Sequence, residues 1–274
     1  MKKIAVIGLG IIGGSICGAL TGAGYAVDGF SRSESSVDFA LRAGYIRAKG
    51  EKLSDYDVVF IAVPPEATLA YLDGGEFKDG ALVADICGVK EIVEKTVYAK
   101  ARNYRYIGLH PMAGKETSGI ASATPNLFDN ANLIITRAEQ TKEADIEEIK
   151  EYARAMRFGK MIECTAKQHD KKIALTSQLA HIVSNAYVKS PEVKGCDGFT
   201  GGSFQDMTRI AGVDEAVWTP LYAYNRENIV HELQLLIDNL TVYRDALVEK
   251  EDGKLSQALK EGRLIRETLK RGND

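Results

Sequence analysis

Cysteine is scarce in this chain: four residues in 274, at positions 17, 87, 164 and 196, with no C-x-x-C among them. That spacing excludes a disulfide framework and a cysteine-ligated zinc site, and reads as reduced, mostly buried thiols with no bound metal. A surplus of one charge is also missing. Lys and Arg total 35 against 38 Asp and Glu, a formal net charge of -3, and lysines alternate with glutamates along the predicted helices. No basic surface for nucleic acid is left. No apolar run approaches the roughly 20 residues that span a bilayer. The opening MKKIAVIGLG passes straight into a strand and turn pattern, without a signal-peptide cleavage pattern. These absences point to a cytoplasmic protein whose partner is a small molecule, neither nucleic acid nor membrane.

What is present is length and alternation. A chain of 274 residues exceeds a typical single domain, so two domains sharing a cleft are expected. Up to about position 164, short apolar runs (residues 4–7, 26–30, 58–63, 81–84, 106–109, 133–135 and 161–164) alternate with amphipathic stretches. That is the pattern of a mostly parallel sheet with crossover helices. One helix is punctuated at both ends: Ser33 can cap its start and Gly44 can terminate it. From residue 166 a long helical stretch runs to about 189. A glycine-rich break covers residues 195–202, and helices follow to the end, including a long run over 220–250 suited to homodimer packing. The expected architecture is an α/β Rossmann domain over residues 1–164, followed by an all-α domain over 165–274. No Pro/Ser-rich linker separates them, so tight packing is expected.

Gly8-Leu9-Gly10-Ile11-Ile12-Gly13 follows the first apolar run directly and opens a helix. In that setting Gly8 allows the tight turn, Gly10 lets the backbone approach a pyrophosphate, and Gly13 lets helix and strand pack closely. The helix amino terminus then faces the anion. Ile12 belongs to this loop, and Val63 ends the third apolar run with Pro64 just beyond it at the same sheet edge; all are assigned to the cofactor. An acidic residue is expected about 20 residues on, to hold a ribose 2'-hydroxyl. This sequence has Ser31, Arg32 and Ser33 there. A guanidinium flanked by hydroxyls can hold a 2'-phosphate that a carboxylate would repel, which favours NADP over NAD. Asp28 competes for the role but lies three residues too early, and strand alternation turns it elsewhere.

Four histidines occur, at 110, 169, 181 and 231. His110 ends a predicted strand and begins the loop His110-Pro111-Met112-Ala113-Gly114-Lys115-Glu116, at the carboxyl edge where open sheets bind ligands. There it can take the proton from a hydroxyl whose carbon loses hydride, or simply pin the loop. Ser177, His181, Ser184 and Asn185 share a helical face, a polar stripe that either lines a cleft or satisfies an interface. His169 and His231 stand among charged residues and read as solvated. Arg209 follows the glycine-led turn at 201–202, where it could grip a substrate carboxylate or pair with Asp206 at i, i+3.

The segments HPMAGKETSG and Asp206-x-Thr208-Arg209-Ile210-Ala211, with the glycine loop before them, resemble the prephenate and arogenate dehydrogenases of tyrosine biosynthesis over nearly the whole chain. The resemblance implies a catalytic role for His110 and substrate-binding roles for Arg209, His181, Glu116, Gln178 and Lys115. It also implies a nicotinamide cofactor and a homodimer formed through the helical domain. Two departures stand out. Gly88 occupies the serine position of the family's D-x-x-S-V-K, here Asp85-Ile86-Cys87-Gly88-Val89-Lys90, and Gln178 replaces the first histidine of S-H-L-P-H. No fused regulatory or chorismate mutase domain is expected. The competing readings are another hydroxyacid- or imine-type dehydrogenase, and an NADP-binding regulator without turnover.

Overall fold

The structure is a computed structural model that describes residues 2–114 and 117–271. Its sheet has eight strands: β1 (Ile4–Ile7), β2 (Val27–Phe30), β3 (Ala48–Lys49), β4 (Val58–Ile61), β5 (Leu82–Asp85), β6 (Arg105–Pro111), β7 (Leu133–Thr136) and β8 (Met161–Cys164). They lie in the order β3-β2-β1-β4-β5-β6-β7-β8. All neighbouring pairs are parallel except β6 and β7, which run antiparallel with His110 opposite Ile134. Every apolar run read from the sequence forms a strand. The short edge strand β3 carries no apolar run and was not legible.

Strand alternation divides the core into two layers. Ile4 and Val6 of β1, Val58 and Phe60 of β4, and Leu82 and Ala84 of β5 face one cluster. It is closed by α1 (Ile11–Gly22), α2 (Glu34–Arg42) and α5 (Glu143–Ala155). Ala5, Ile7, Val59, Ile61 and Val83 face the other, closed by α3 (Pro65–Gly74) and α4 (Glu91–Tyr98). Phe60 is fully buried, and such a side chain contributes about 1.5–3 kcal/mol by leaving water. α2 begins and ends as its punctuation requires. The Ser33 hydroxyl accepts from the Ser36 N–H at 3.2 Å, worth about 1 kcal/mol, and Gly44 takes φ +67° just beyond the helix.

The sheet ends at Cys164, and helices follow: α6 (Ala166–Ile173), a π-helical turn (Ala174–Leu179), α7 (Ala180–Tyr187), α8 (Gly202–Thr208), α9 (Glu215–Tyr224), α10 (Arg226–Val248) and α11 (Asp252–Arg271). The uniform helix expected to residue 189 is therefore interrupted by a π turn, and the run expected over 220–250 breaks at Asn225. Met1–Asn225 forms one compact unit and Arg226–Asp274 another. In the second unit α10 and α11 pack on each other, with the Tyr243 hydroxyl donating to the Ala258 carbonyl at 3.3 Å. No helix among the described residues is long and apolar enough to cross a membrane.

Candidate active site

β1, β4, β5 and β6 deliver their carboxyl ends to one edge of the sheet, and strand order reverses beside β1, where open α/β sheets form a crevice. Gly8 ends β1 at φ +95°, and a Cβ there would meet the Ala62 carbonyl at 2.2 Å and Val63 Cγ1 at 2.7 Å. A Cβ on Gly13 would lie 1.8 Å from the Gly8 carbonyl oxygen. Both positions therefore exclude any side chain. Gly10, at the N-cap of α1, has nothing within 4 Å of its Cβ direction and no side-chain cap. Open space in front of uncapped helix N–H groups is the shape and polarity a dinucleotide diphosphate requires. Val63 adjoins this turn, Pro64 caps α3, and Ile12 packs against the core beneath the loop.

At the end of β2 the Ser31 hydroxyl accepts from the Ser33 N–H at 3.1 Å. Arg32 is exposed, and among the described residues it has no ion-pair partner. Asp28 is buried and already occupied. It accepts from Arg47 Nε at 3.1 Å and Nη2 at 2.7 Å, and from the Tyr56 hydroxyl at 2.9 Å. Its carboxylate thus holds β2 to its neighbours, in agreement with the strand-alternation argument.

His110 lies within β6, near its carboxyl end, and is half-buried. Its Nδ1 is 2.8 Å from His169 Nε2, and His169 Nδ1 is 2.7 Å from Asp170 Oδ1. Asp170 also accepts the backbone N–H of Lys90 on Oδ1 at 2.8 Å and of Glu91 on Oδ2 at 2.9 Å, so it docks on the amino end of α4. The acceptors fix the tautomers. A carboxylate can only accept, so His169 donates from Nδ1 and offers the Nε2 lone pair. His110 must then donate from Nδ1, which leaves its own Nε2 as a base. Burial holds the His110 imidazole well below the ordinary histidine range, and His169 and the Lys90 ammonium push it the same way. Burial lowers His169 too, with the Asp170 hydrogen bond opposing. The influences on His110 all favour its neutral imidazole.

The expectation for His169 is corrected. It is 1% exposed, not solvated, because the α6 face bearing Ala166, His169, Asp170 and Ile173 turns inward. His231 is exposed, as its charged surroundings suggest.

Beneath the histidines lies a second polar group with no exposure. Lys90 Nζ meets Asp85 Oδ1 at 2.5 Å, and the other Asp85 oxygen accepts from the Tyr106 hydroxyl at 2.7 Å. Cys87 N–H donates to Asp85 Oδ1 at 2.8 Å. Burial and the Asp85 carboxylate hold the Tyr106 phenol well above its usual range, so it stays a donor. Gly88 follows this strand end. A Cβ there would sit 3.4 Å from Leu221 Cδ2 and 3.9 Å from His110 Cε1, ordinary contacts.

The polar stripe of α7 spends itself on carbonyls at the end of α8 and just beyond it. His181 Nδ1 donates to the Ile210 carbonyl at 2.9 Å, the Ser184 hydroxyl to Met207 at 2.7 Å, and the Asn185 amide to Ala211 at 3.0 Å. Arg209 caps the carboxyl end of α8 on this clamped turn and is exposed. His181 and the Arg209 segment are therefore brought together, and the His181 ring also packs on Trp218 with centroids 4.0 Å apart. Gln178 stands differently from the expectation that it contacts substrate. It is 2% exposed, and its amide meets the Asn225 side chain and the Leu221 carbonyl. Lys115 and Glu116 lie outside the described residues.

Sequence comparison bears on the same segments. Residues 17–161 match the family model described as prephenate dehydrogenase, nucleotide-binding domain, and residues 165–261 match prephenate dehydrogenase, dimerization domain. A prephenate dehydrogenase of Lactococcus lactis is 31% identical over 98% of this chain and 78% of its own length. A cyclohexadienyl dehydrogenase of Zymomonas mobilis is 28% identical over 100% of this chain and 98% of its own. The crystal structure of Synechocystis arogenate dehydrogenase superposes with a TM-score of 0.82 at 26% identity, covering 97% of this chain and 99% of that one. With a Rossmann cradle, a hydrogen-bonded histidine pair at the sheet edge and both family domains in order, the chain belongs to the prephenate dehydrogenase family, nicotinamide-dependent oxidoreductases of tyrosine biosynthesis.

Proposed function

We propose that this chain oxidatively decarboxylates prephenate or arogenate, using NADP in preference to NAD, with His110 as the base. The observation that carries the proposal is the hydrogen-bonded line His110, His169, Asp170, which leaves a neutral, fixed Nε2 at the sheet edge. The bound nicotinamide supplies the hydride acceptor. His110 Nε2 accepts the proton of the C4 hydroxyl as C4 gives up its hydride and becomes a carbonyl carbon. The ring carboxylate then leaves as carbon dioxide. The electron pair of its broken C–C bond enters the ring, and the C4 oxygen recovers a proton as a phenol. Gas release and aromaticity make the step irreversible.

Arg209, held on the turn that His181 clamps, grips a substrate carboxylate, each charged hydrogen bond contributing about 1.5–3 kcal/mol. His181 keeps Nε2 available on the same side, and Lys115 and Glu116 follow His110 in sequence as further substrate contacts. Ser31, Arg32 and Ser33 receive the 2'-phosphate, while Gly8, Gly10, Ile12, Gly13, Val63 and Pro64 form the rest of the cofactor site. Residues 1–164 serve the dinucleotide and 165–274 the substrate and dimer contacts. Two copies associate through apolar side chains left exposed on α10 and α11, among them Leu240, Leu247, Leu259 and Ile265. The expected compartment is the cytoplasm.

The test is the initial rate of nicotinamide reduction, with carbon dioxide release, for prephenate or arogenate with NAD or NADP. Turnover in an NADP combination is expected. Cofactor binding without turnover on either substrate would refute the activity, and faster rates with NAD would refute the cofactor choice.

A further inference from the structure

Asn225 carries no motif and was not singled out in the sequence, yet it is 3% exposed and sits at a junction. Its Nδ2 donates to the Asp170 carbonyl at 2.9 Å and to Gln178 Oε1 at 2.6 Å. Asp170 precedes the π-helical turn Ala174–Leu179, and Gln178 lies within it. Such turns loosen the regular ladder and gather at functional sites. Asp170 is the residue that aims His169 at His110 and docks on α4. Its carbonyl already accepts the Ala174 N–H, so the Asn225 bond is an additional tie on that peptide.

The tie is anchored on α9. Trp218, Leu221 and Asn225 follow one another at spacings of three and four and share a face. Trp218 packs on His181, Leu221 stands beside the Gly88 position, and Asn225 caps the helix end. We infer that Asn225 and Gln178 form a positioning clamp, tying the π turn to the peptide of Asp170, that holds the Asp170 main chain so that His169 meets His110 at hydrogen-bonding distance. The clamp rests on the reading of His110 as the base. Neither residue touches substrate; both act through Asp170 and His169.

A misplacement near 1 Å at a reacting group costs about a hundred-fold in rate, and loosening one supporting bond should cost about ten-fold. The test replaces both amides by leucine, Asn225→Leu with Gln178→Leu. Removing both partners of a buried hydrogen bond together leaves neither of the two amide groups unsatisfied and preserves the fold better than removing one. The clamp predicts a kcat about ten-fold lower, with KM for substrate and cofactor within two-fold and a melting temperature near that of the parent. A well-folded double variant with parental kcat would overturn the clamp, because a purely structural role moves stability and not turnover. Gln178→Leu alone provides a second reading: it keeps the Asn225 to Asp170 bond but loses its brace, so kcat should fall by about three-fold at unchanged KM. Parental kcat there also counts against the clamp. His110→Asn is run alongside. If that variant turns over normally, the base assignment fails; if it is inactive while the leucine variants are fully active, only the clamp fails.

Discussion

Replacing Asp170 by asparagine changes one atom of the line that ends at His110. Asp170 receives three N–H donors, from Lys90, Glu91 and His169. An asparagine can present its single oxygen where Oδ1 stood, keeping the Lys90 and His169 bonds, and then turns its NH2 against the Glu91 N–H. The reverse orientation opposes two donors and is disfavoured. The His169 tautomer therefore survives, and the loss is chiefly of charge. When His110 takes the substrate proton, the imidazolium lies roughly 7 Å from the carboxylate across the two rings, an attraction of about 2 kcal/mol at an effective dielectric of 20. That corresponds to about thirty-fold in kcat. Because the protonated histidines lose their counter-charge, the acid limb of kcat/KM should move to lower pH, while cofactor affinity stays unchanged. Stopped-flow rates and cofactor titration on folded Asp170→Asn protein measure both. A kcat within three-fold of the parent, or an acid limb moved upward, would refute the electrostatic role given to Asp170.

Other outcomes follow from the same geometry. His110 and His169 are both held below the usual histidine pKa, so the folded state binds fewer protons than the unfolded chain between the lowered pKa and about 6.5. Their contribution to stability is present above about pH 6.5 and is lost as pH falls toward the lowered pKa. Melting temperature measured across this range should drop on acidification, and less so in a variant lacking both imidazoles. Gly88→Ser should be tolerated, since the added Cβ meets only Leu221 and His110 Cε1 at 3.4 Å and 3.9 Å. Thermal unfolding should change little and kcat should hold or rise; a loss of folding would contradict the space described. Ser31→Asp should raise KM for NADP by about ten-fold or more through repulsion of the 2'-phosphate and improve NAD. Steady-state kinetics with both cofactors decide this.

The sheet was legible because buried parallel strands are continuous apolar runs with glycine turns between them, as at residues 4–13. His110 was legible because a strand end fixes where its side chain can go. His169 was misread because Lys167, Asp170, Lys171 and Lys172 surround it in sequence. The missed signal was helical spacing: His169 and Asp170 fall on the same face as Ala166 and Ile173, the apolar positions of α6. Burial of a carboxylate with its imidazole partner is a tertiary event, made tolerable here by two N–H groups at the start of α4, which lies some 80 positions away in sequence. The α7 stripe was read correctly as polar, but neither of its two meanings could be chosen without knowing that the carbonyls of residues 207–211 pack against it. The break at Asn225 carries neither glycine nor proline, so nothing local announced it.

The most direct test of the account is single-turnover reduction of NADP by the His110→Asn variant with saturating prephenate or arogenate. The account predicts a rate at least about a hundred-fold below the parent with an unchanged dissociation constant for NADP. A rate close to the parent's would contradict the assignment of His110 as the base.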